Sequence, residues 1–420
     1  MNVSSAVGDS RDVIVIVGAS LAGVRAAETL RTDGFTGHIV MVGAEQHTPY
    51  DRPPLSKKFL SGEWDAERVA LRKQEMLDAL ALEWRLGVAA TALDTVAGRL
   101  TLADGSEISY DGLIICTGGT ARTIPVPNSM AGVHVLRTLD DATHLRAELT
   151  GNVVVIGAGF IGLEAAATAS MRGCTVTVLE GLEAPLVRGL GPVMGDAIGD
   201  VHRRHGVDVR CGVRVAGFEG TSRVSGVRLD SDLDNDRVIP ADVVVVGIGV
   251  APATQWLETS GLTLGDGVVC DEFLCAGPER VFAAGDVARW PNRLFADVEP
   301  DMRVEHWTTA AEQGAAAAKN LLARLRGEEP QAFVTVPFFW SDQFEARIQF
   351  LGRATAATTA EVVAGDPASG SWCAAYFAGD RLAGVLGVSM PRLVMPARAL
   401  LSTHTTRTEA LAHFAAATSP

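Results

Sequence analysis

Cysteine is scarce in this chain, and none of it lies before residue 116. The six cysteines are scattered, and no two form a Cys-x-x-Cys pair, so we predict no zinc, iron–sulphur or other metal site. Cys270 and Cys275 are the closest pair. Residues 268–275 are predicted to form a strand, which would place these two thiols on opposite faces and leave them unpaired.

Long apolar runs and positive charge are also in short supply. No run approaches the roughly 20 residues that a membrane helix needs, and the polar residues 1–12 precede only a brief apolar stretch. We therefore expect a cytoplasmic protein without membrane contact. The net charge of −14 disfavours nucleic-acid binding. Lysine occurs only at positions 57, 58, 73 and 319, and Lys57 ends a segment whose prolines restrict the backbone, which favours a fixed role for it.

Two glycine-rich loops stand out in what the chain does contain. Each follows an all-apolar strand and precedes a helix of small residues, in segments 13–23 and 153–162. Glycines permit a tight turn, and the helix N-terminus offers free N–H groups to a pyrophosphate. The first loop has Ser20 in place of the middle glycine, which is tolerable if its φ is negative. Two such loops predict two dinucleotides and electron transfer between them.

The other patterns predict an α/β protein. Around the first loop we predict helix 21–30 and strand 38–42, and around the second a β–loop–α–β unit at 151–180. Further buried strands are predicted at 111–117, 241–246 and 281–284. Beyond about residue 330, alternating strands such as 344–351 and 371–377 predict a small α+β domain. The predicted domains are 1–118 with 250–325 for one dinucleotide, 119–249 for the other, and 326–420 at the C-terminus.

Four segments carry a resemblance to a known family. Residues 49–57, 157–164, 281–288 and 338–343 look like those of the flavin-dependent ferredoxin reductases that serve oxygenase systems, of the putidaredoxin-reductase and biphenyl-dioxygenase-reductase type. The resemblance covers essentially the whole chain. It implies FAD and NADH as cofactors, bound by two Rossmann-like domains of the glutathione-reductase class, with an α+β domain at the C-terminus.

The resemblance also implies which residues contact FAD. An acidic residue is expected at the end of the second strand, but that position holds Gly43, and the carboxylate follows at Glu45, which could also be a mere loop charge. Asp286 resembles the acceptor for the ribityl chain and could also cap a helix. Arg52 could face the flavin or brace its loop through Asp51. The implied contacts are Gly18, Ala22, Gly23, Ala44, Glu45, Arg52, Lys57, Ala90, Arg137, Asp286 and Trp307.

Three of the implied site residues are candidates for catalysis. By resemblance Lys57 lies beside the isoalloxazine, where its charge would stabilise the reduced flavin. Glu164 would face the nicotinamide and pair with Lys57 across the flavin, although a solvated glutamate in a first helical turn is the plain alternative. Trp307 would lie against the flavin, and the plain alternative is a core aromatic at a helix start.

Glu180 predicts which nicotinamide dinucleotide is used. It ends the strand after the second loop, where a carboxylate accepts from the ribose hydroxyls of NADH and repels a 2′-phosphate, and no arginine follows before Pro185. We therefore expect NADH. The residues assigned to NADH are Gly157, Gly159, Gly162, Glu164, Glu180 and Gly249.

The expected reaction runs from NADH through FAD to a small 2Fe–2S ferredoxin, which would feed a haem monooxygenase or a ring-hydroxylating dioxygenase. Because such ferredoxins are acidic, docking needs a local basic patch, for which Arg68, Arg72 and Lys73 are candidates. Three alternatives stay open: another acceptor such as rubredoxin, monodehydroascorbate or oxygen, a non-enzymatic flavin redox sensor, and a dithiol reductase using Cys270 and Cys275.

Overall fold

The computed structural model describes residues 12–126, 130–230 and 238–418. The strands, in chain order, are β1 (Val13–Val17), β2 (His38–Gly43), β3 (Glu83–Leu86), β4 (Ala90–Asp94), β5 (Arg99–Leu102), β6 (Glu107–Ser109), β7 (Gly112–Ile115), β8 (Gly119–Ala121), β9 (Val133–Val135), β10 (Asn152–Ile156), β11 (Thr175–Leu179), β12 (Asp208–Arg210), β13 (Val215–Gly220), β14 (Val224–Leu229), β15 (Val238–Pro240), β16 (Val243–Val246), β17 (Val250–Pro252), β18 (Leu264–Gly265), β19 (Gly267–Val269), β20 (Val281–Ala283), β21 (Ala288–Arg289), β22 (Phe338–Gln343), β23 (Ala346–Gly352), β24 (Thr359–Asp366), β25 (Ser371–Ala378) and β26 (Arg381–Val388). The helices are α1 (Leu21–Thr32), α2 (Lys58–Ser61), α3 (Gln74–Asp78), α4 (Leu139–Glu148), α5 (Phe160–Met171), α6 (Val187–Leu190), α7 (Pro192–Arg204), α8 (Trp307–Arg326), α9 (Pro391–Val394), α10 (Ala397–Ser402) and α11 (Arg407–Thr418).

The chain divides into two compact units. The first takes in the described residues up to Asp51, with Ala70–Thr120 and Ala251–Pro337. The second takes in Arg52–Val69, Ala121–Val250 and the described residues from Phe338 onward. The three-domain division made from the sequence stays a prediction. The second compact unit contains most of segment 119–249, predicted for the second dinucleotide, together with most of the C-terminal segment 326–420.

The first unit is built on a parallel sheet with the strand order β20-β7-β1-β2-β3. Strand β1 is central, and Ile14, Val15 and Ile16 have no exposed surface. A continuous apolar run of this kind is typical of a parallel strand whose two faces are both covered. Helix α1 follows β1 directly, so the first glycine loop lies at the carboxyl edge of the sheet, where α/β proteins bind their ligands.

The second unit contains a second parallel sheet and an antiparallel one. The parallel sheet has the order β12-β11-β10-β16-β9, again with the strand before the glycine loop in its interior. The antiparallel sheet has the order β22-β23-β26-β25-β24 and carries helices α9 to α11 after its last strand. In the part of the chain that the structure describes, no helix is long and apolar enough to cross a membrane.

Two sequence-based strand predictions were wrong in part. Residues 268–275 do not form one strand: β19 ends at Val269, and Asp271 Oδ1 then accepts hydrogen bonds from the backbone N–H groups of Phe273 and Cys275, which closes a turn. The strand predicted at 344–351 begins only at Ala346, because Phe344 has a left-handed φ of 53° in the hairpin between β22 and β23.

Cys270 and Cys275 are unpaired, as predicted, although they lie at a turn and not on opposite faces of one strand. Both thiols are free and buried, and their Sγ atoms face the carbonyls of Val268 and Pro278. Burial raises the pKa of both thiols, which disfavours the thiolate that dithiol chemistry requires.

Replacing Cys270 or Cys275 singly by serine is therefore expected to leave NADH-driven reduction of an artificial acceptor unchanged. The rate would be measured on flavin-loaded protein, with Cys373→Ser as the control for placing a hydroxyl at another buried thiol position. Loss of activity in the first two variants, but not in the control, would support a dithiol role.

Candidate functional site

The first glycine loop has two positions at which a Cβ would collide with the backbone, and at one of them φ also favours glycine. Gly18 has φ 122°, and a Cβ there would lie 2.1 Å from the Cys116 carbonyl oxygen. A Cβ at Gly23 would lie 2.1 Å from the Gly18 carbonyl oxygen. Ser20 has φ −128°, so the substitution of the middle glycine is accommodated in the way the sequence required. Helix α1 begins after Ser20 without a side-chain cap.

Close packing around Ala22 brings α8 and the turn after β20 to the start of α1. A Cβ at Gly314 would lie 2.2 Å from the Ala22 carbonyl oxygen, and one at Gly285 would lie 3.2 Å from the Ala22 Cβ. The Gly285 N–H donates to Gln313 Oε1 (2.8 Å), which fixes the turn that carries Asp286. No helix begins at Asp286, so the helix-cap alternative was wrong: the residue lies in a turn before β21.

The position of Glu45 has a steric cause. A side chain at Gly43 would place its Cβ 2.8 Å from the Ala19 Cβ and 3.0 Å from Leu86 Cδ2, so the end of β2 cannot hold an acidic residue. The carboxylate comes two residues later and accepts a hydrogen bond from the Tyr50 hydroxyl. Ala44, between them, is exposed. Glu45 is therefore a fixed acceptor, and its contact with FAD stays a prediction.

Trp307 is held by a hydrogen bond at the first residue of α8. Its indole N–H donates to Asp51 Oδ1 (2.8 Å). Burial raises the pKa of the Asp51 carboxyl, although the Trp307 hydrogen bond and the charge of Arg72 favour its ionised form. The indole plane is thereby fixed within the first unit, and Trp307 is only partly buried.

The second glycine loop repeats the geometry of the first in the second unit. Gly157 has φ 100°, and a Cβ there would lie 2.4 Å from the Gly247 carbonyl oxygen. A Cβ at Gly162 would lie 2.1 Å from the Gly157 carbonyl oxygen. The middle glycine, Gly159, differs: the nearest protein atom to its Cβ position is 4.0 Å away, so the space there is open to a ligand. Helix α5 begins after it without a side-chain cap.

Glu180 is tied to the second loop. One carboxylate oxygen accepts from the Ala158 N–H (2.7 Å) and the other from the Leu182 N–H (2.9 Å). The carboxylate thus lies beside the loop that would hold the pyrophosphate. Gly249 is exposed with φ 99°, a left-handed conformation that favours glycine, and its carbonyl accepts from the Arg122 N–H (2.9 Å).

Lys57 and Glu164 form a buried ion pair in the second unit. The Lys57 Nζ lies 2.6 Å from Glu164 Oε2, the lysine side chain is 17% exposed, and Glu164 is 5% exposed. The same carboxylate oxygen accepts from the Ser56 hydroxyl, and Oε1 accepts from the Ser341 hydroxyl (2.6 Å). The two residues expected to pair are thus in direct contact, and the solvated alternative for Glu164 is wrong. Their placement across a flavin and beside a nicotinamide stays a prediction. Removing one partner of such a pair costs about 3–5 kcal/mol.

One face of α5, together with Arg172 directly after it, holds the Lys57 segment through residues four apart. Besides Glu164, Thr168 donates its hydroxyl to the Ser56 carbonyl (2.7 Å), and Arg172 donates to the Leu60 carbonyl (2.9 Å). Residues at this spacing share a helix face. Lys57 is consequently fixed by its neighbours on the helix as well as by its own proline-rich loop.

The remaining predicted FAD contacts lie in both units. Arg52 Nη1 donates to the Arg137 carbonyl (2.7 Å), so these two residues of the second unit are brought together. Arg137 precedes α4, whose capping box is formed by Thr138 and Asp141. Ala90, in the first unit, is the half-buried first residue of β4. The roles of all three at a flavin stay predictions.

Ser56 and Ser341 were missed by the sequence reasoning as partners of Glu164. Ser341 lies in segment 338–343, which was recognised for its resemblance but was given no role. The alternation of β22 offered a signal, since it puts Ser341 and Gln343 on one face. Nothing local to the sequence says that this face meets α5.

Both loops fit a dinucleotide pyrophosphate. Each has glycines where a Cβ would collide with backbone, and each opens a helix whose first N–H groups lack a side-chain cap. Uncapped N–H groups and the positive end of the helix dipole are the features that bind pyrophosphate. Among the described residues, no group of three or more His, Cys, Asp or Glu side chains could hold a metal ion.

Comparisons with known proteins agree with this geometry. Residues 12–314 match the family described as pyridine nucleotide-disulphide oxidoreductase, and residues 338–417 match the one described as reductase C-terminal. The rhodocoxin reductase of Rhodococcus erythropolis is 40% identical and covers 93% of this chain and 89% of its own. The putidaredoxin reductase CamA of Pseudomonas putida is 34% identical, with 91% and 90% covered.

A solved structure supports the same assignment. A chain in the crystal structure of the covalent putidaredoxin reductase–putidaredoxin complex superposes with a TM-score of 0.89 at 32% identity, covering 97% of this chain and 99% of that one. The predicted resemblance and fold class are confirmed. The chain belongs to the pyridine nucleotide-disulphide oxidoreductase family and, within it, to the ferredoxin reductases of oxygenase systems.

Proposed function

We propose that the protein is an FAD-dependent NADH:ferredoxin oxidoreductase, which supplies electrons to an oxygenase through a 2Fe–2S ferredoxin. The observation that carries the proposal is the pair of dinucleotide loops, one in each unit, both with glycines that no other residue could replace. The names of its relatives support the acceptor: they include a ferredoxin–NAD(P)(+) reductase of Sphingomonas sp. and a ferredoxin–NAD(+) reductase component of an anthranilate 1,2-dioxygenase system.

The bound flavin supplies the redox chemistry, accepting a hydride from NADH and giving up electrons one at a time. The residues proposed to hold it are those of the first loop, with Ala44, Glu45 and Asp286. The cysteines of the chain are free, and Cys270 and Cys275 are buried, so the proposed electron path avoids a dithiol.

The proposed contribution of Lys57 is electrostatic. Its ammonium is held by Glu164 and by a rigid segment, so little reorganisation is needed when negative charge develops beside it. A preorganised charge in a site shielded from water acts more strongly than a mobile one. Glu164 is proposed to face the nicotinamide, and Trp307, with its indole fixed by Asp51, to lie against the flavin ring.

Glu180 is proposed to select NADH. Its carboxylate is held by two backbone N–H groups beside the second loop. Fixed there, it can accept from ribose hydroxyls and repel a 2′-phosphate. The residues proposed to hold NADH are Gly157, Gly159, Gly162, Glu180 and Gly249.

The proposed ferredoxin surface is narrower than the basic cluster seen in the sequence. Arg72 pairs with Glu28 (2.6 Å), so much of its charge is neutralised within the first unit. Arg68 is exposed, with its guanidinium over the Trp64 ring, and Lys73 is exposed as well. We propose that Arg68 in the second unit and Lys73 in the first each present a positive charge that an acidic ferredoxin could contact. We also propose that the enzyme works in the cytoplasm, where free cysteines are expected.

The acceptor is tested by NADH-driven reduction of cytochrome c with and without added 2Fe–2S ferredoxin. We expect ferredoxin to raise the rate about tenfold or more, because it is the proposed acceptor of the flavin electrons. Rubredoxin at equal concentration is the control. Equal stimulation by both proteins, or none by ferredoxin, would contradict the proposed acceptor.

Replacing Lys57 by methionine is expected to slow flavin reduction by NADH about 100-fold, since a fixed positive charge is lost from the site. Lys58→Met is the matched control. Lys58 is the adjacent residue, but its side chain is 52% exposed and pairs with Glu63 at the surface. Stopped-flow absorbance would report both rates, and equal slowing in the two variants would remove the proposed role of Lys57.

Replacing Glu180 by glutamine is expected to raise the ratio of kcat/KM for NADPH to that for NADH about tenfold, equivalent to about 1.4 kcal/mol. The physical reason is the loss of repulsion toward a 2′-phosphate. Glu183→Gln, at an exposed position three residues on, removes the same charge without touching the loop and should leave the ratio unchanged. An unchanged ratio in Glu180→Gln would refute the selection by this carboxylate.

A further inference from the structure

Strand β22 turns one face toward helices α5 and α7 of the same unit. Every second residue of the strand lies on that face: Phe339, Ser341 and Gln343. The Phe339 ring lies 4.7 Å from the ring of Phe160 at the start of α5. The Ser341 hydroxyl reaches Glu164 one turn further along α5, and the Gln343 side chain reaches His202 on α7. The strand therefore links the Glu164 carboxylate to a histidine on a different helix.

The polar members of this face form a continuous hydrogen-bonded chain. His202 Nε2 lies 2.8 Å from Gln343 Oε1, Gln343 Nε2 donates to Ser341 Oγ (3.0 Å), and the Ser341 hydroxyl donates to Glu164 Oε1. His202, Gln343 and Ser341 have no exposed surface. The Gln343 amide and the Ser341 hydroxyl are therefore hydrogen-bonded on both sides, whereas the buried His202 Nδ1 has no hydrogen-bond partner among the described residues.

The donor direction along the chain is set by the Glu164 carboxylate, which only accepts hydrogen bonds, and it fixes the tautomer of His202 at the other end. Burial lowers the pKa of its imidazole to about 4, despite the hydrogen bond that the ring makes to Gln343, so the ring is neutral at pH 7. A carbonyl oxygen only accepts, so the single ring N–H lies at Nε2 and donates to Gln343 Oε1. The amide nitrogen of Gln343 is then turned to Ser341, whose one proton is left for Glu164.

The hairpin tip after β22 fixes this strand against α7. Phe344 has a left-handed φ of 53°, and its ring stacks on His205 at 3.9 Å between centroids, while its edge meets His202. Glu345 Oε2 lies 3.0 Å from His205 Nε2. A phenylalanine in this conformation requires such packing to hold it there.

We propose that His202, Gln343 and Ser341 are positioning residues, which hold the Glu164 carboxylate, and through it the Lys57 ammonium, in the orientation needed for flavin reduction by NADH. This inference rests on the proposed function of Lys57 and Glu164. The chain holds the Glu164 carboxylate in place and does not conduct protons. A proton relay would require the Gln343 carboxamide to take up one proton and release another, which it does not readily do.

The first test is the rate of flavin reduction by NADH in a single anaerobic turnover of the holoenzyme. Ser341→Ala removes the hydroxyl between Gln343 and Glu164 and should slow reduction about tenfold. Tyr376→Phe is the control. It breaks another buried hydrogen bond of the same sheet, from the Tyr376 hydroxyl to the Leu190 carbonyl (2.8 Å), and should leave the rate unchanged. Equal rates in Ser341→Ala and the native enzyme would overturn the proposal.

A second measurement separates positioning from general loosening of the structure. In the Glu164→Gln background, Ser341→Ala should cause little further slowing, because the carboxylate that the hydroxyl positions is already absent. Full additivity of the two substitutions would show that Ser341 acts independently of Glu164 and would refute the proposal.

A third measurement does not depend on activity. With the histidines labelled with ¹⁵N, the His202 ring should show the neutral Nε2–H form at pH 7 in the holoenzyme. Gln343→Leu should change the His202 signal, and Tyr376→Phe should not. A Nδ1–H form, or a signal unmoved by Gln343→Leu, would contradict the chain.

Flavin reduction in the native enzyme distinguishes failure of the proposed function from failure of the positioning chain. Failure of NADH to reduce the native flavin would count against the proposed function itself. Rapid reduction of the native flavin, combined with native rates in Ser341→Ala and Gln343→Leu, would leave the proposed function standing and remove only the positioning chain.

Discussion

A carboxylate taken out of water must be paired and hydrogen-bonded on both oxygens, and Glu164 meets that requirement with partners from distant parts of the chain. Lys57 and Ser56 come from the proline-rich segment, and Ser341 comes from β22. This buried charge thus fixes the positions of the loop, of α5 and of the antiparallel sheet within the second unit. Loss of any one partner leaves a charge with an unfilled hydrogen-bonding site, so the arrangement is held as a whole.

Both nucleotide loops need glycines where a Cβ would collide with backbone, but the two loops differ in how the nearby carboxylate is held. At the second loop the Glu180 carboxylate accepts directly from the Ala158 N–H, beside the position proposed for the NADH ribose. At the first loop the end of β2 has no room for a side chain, and Glu45 is instead held by Tyr50. Ser20 adds a side chain at the first loop, whereas Gly159 leaves open space at the second. These differences accompany the proposed assignment of FAD to the first loop and of NADH to the second.

Local sequence predicted the regular elements well and the exceptions poorly. Helix α1 and strands β1, β2, β10 and β11 follow from apolar periodicity and glycine placement, because these signals act over a few neighbouring residues. Residues 268–275 read as a strand because β-branched and apolar side chains dominate its start, but the Asp271 carboxylate takes two backbone N–H groups and forms a turn. Side-chain capping of this kind competes with strand pairing.

The sequence by itself determined the fold class, the two dinucleotide loops and the candidacy of Lys57, since each depends on residue types at fixed short spacings. Tertiary structure decided that Glu164 is buried, that both its oxygens are occupied, and that Ser341, Gln343 and His202 form a chain behind it. Apart from the local bond between Gln343 and Ser341, those contacts join residues more than 100 positions apart. Which strand face meets which helix is settled only by the packing of a complete core, so no short-range pattern could reveal it.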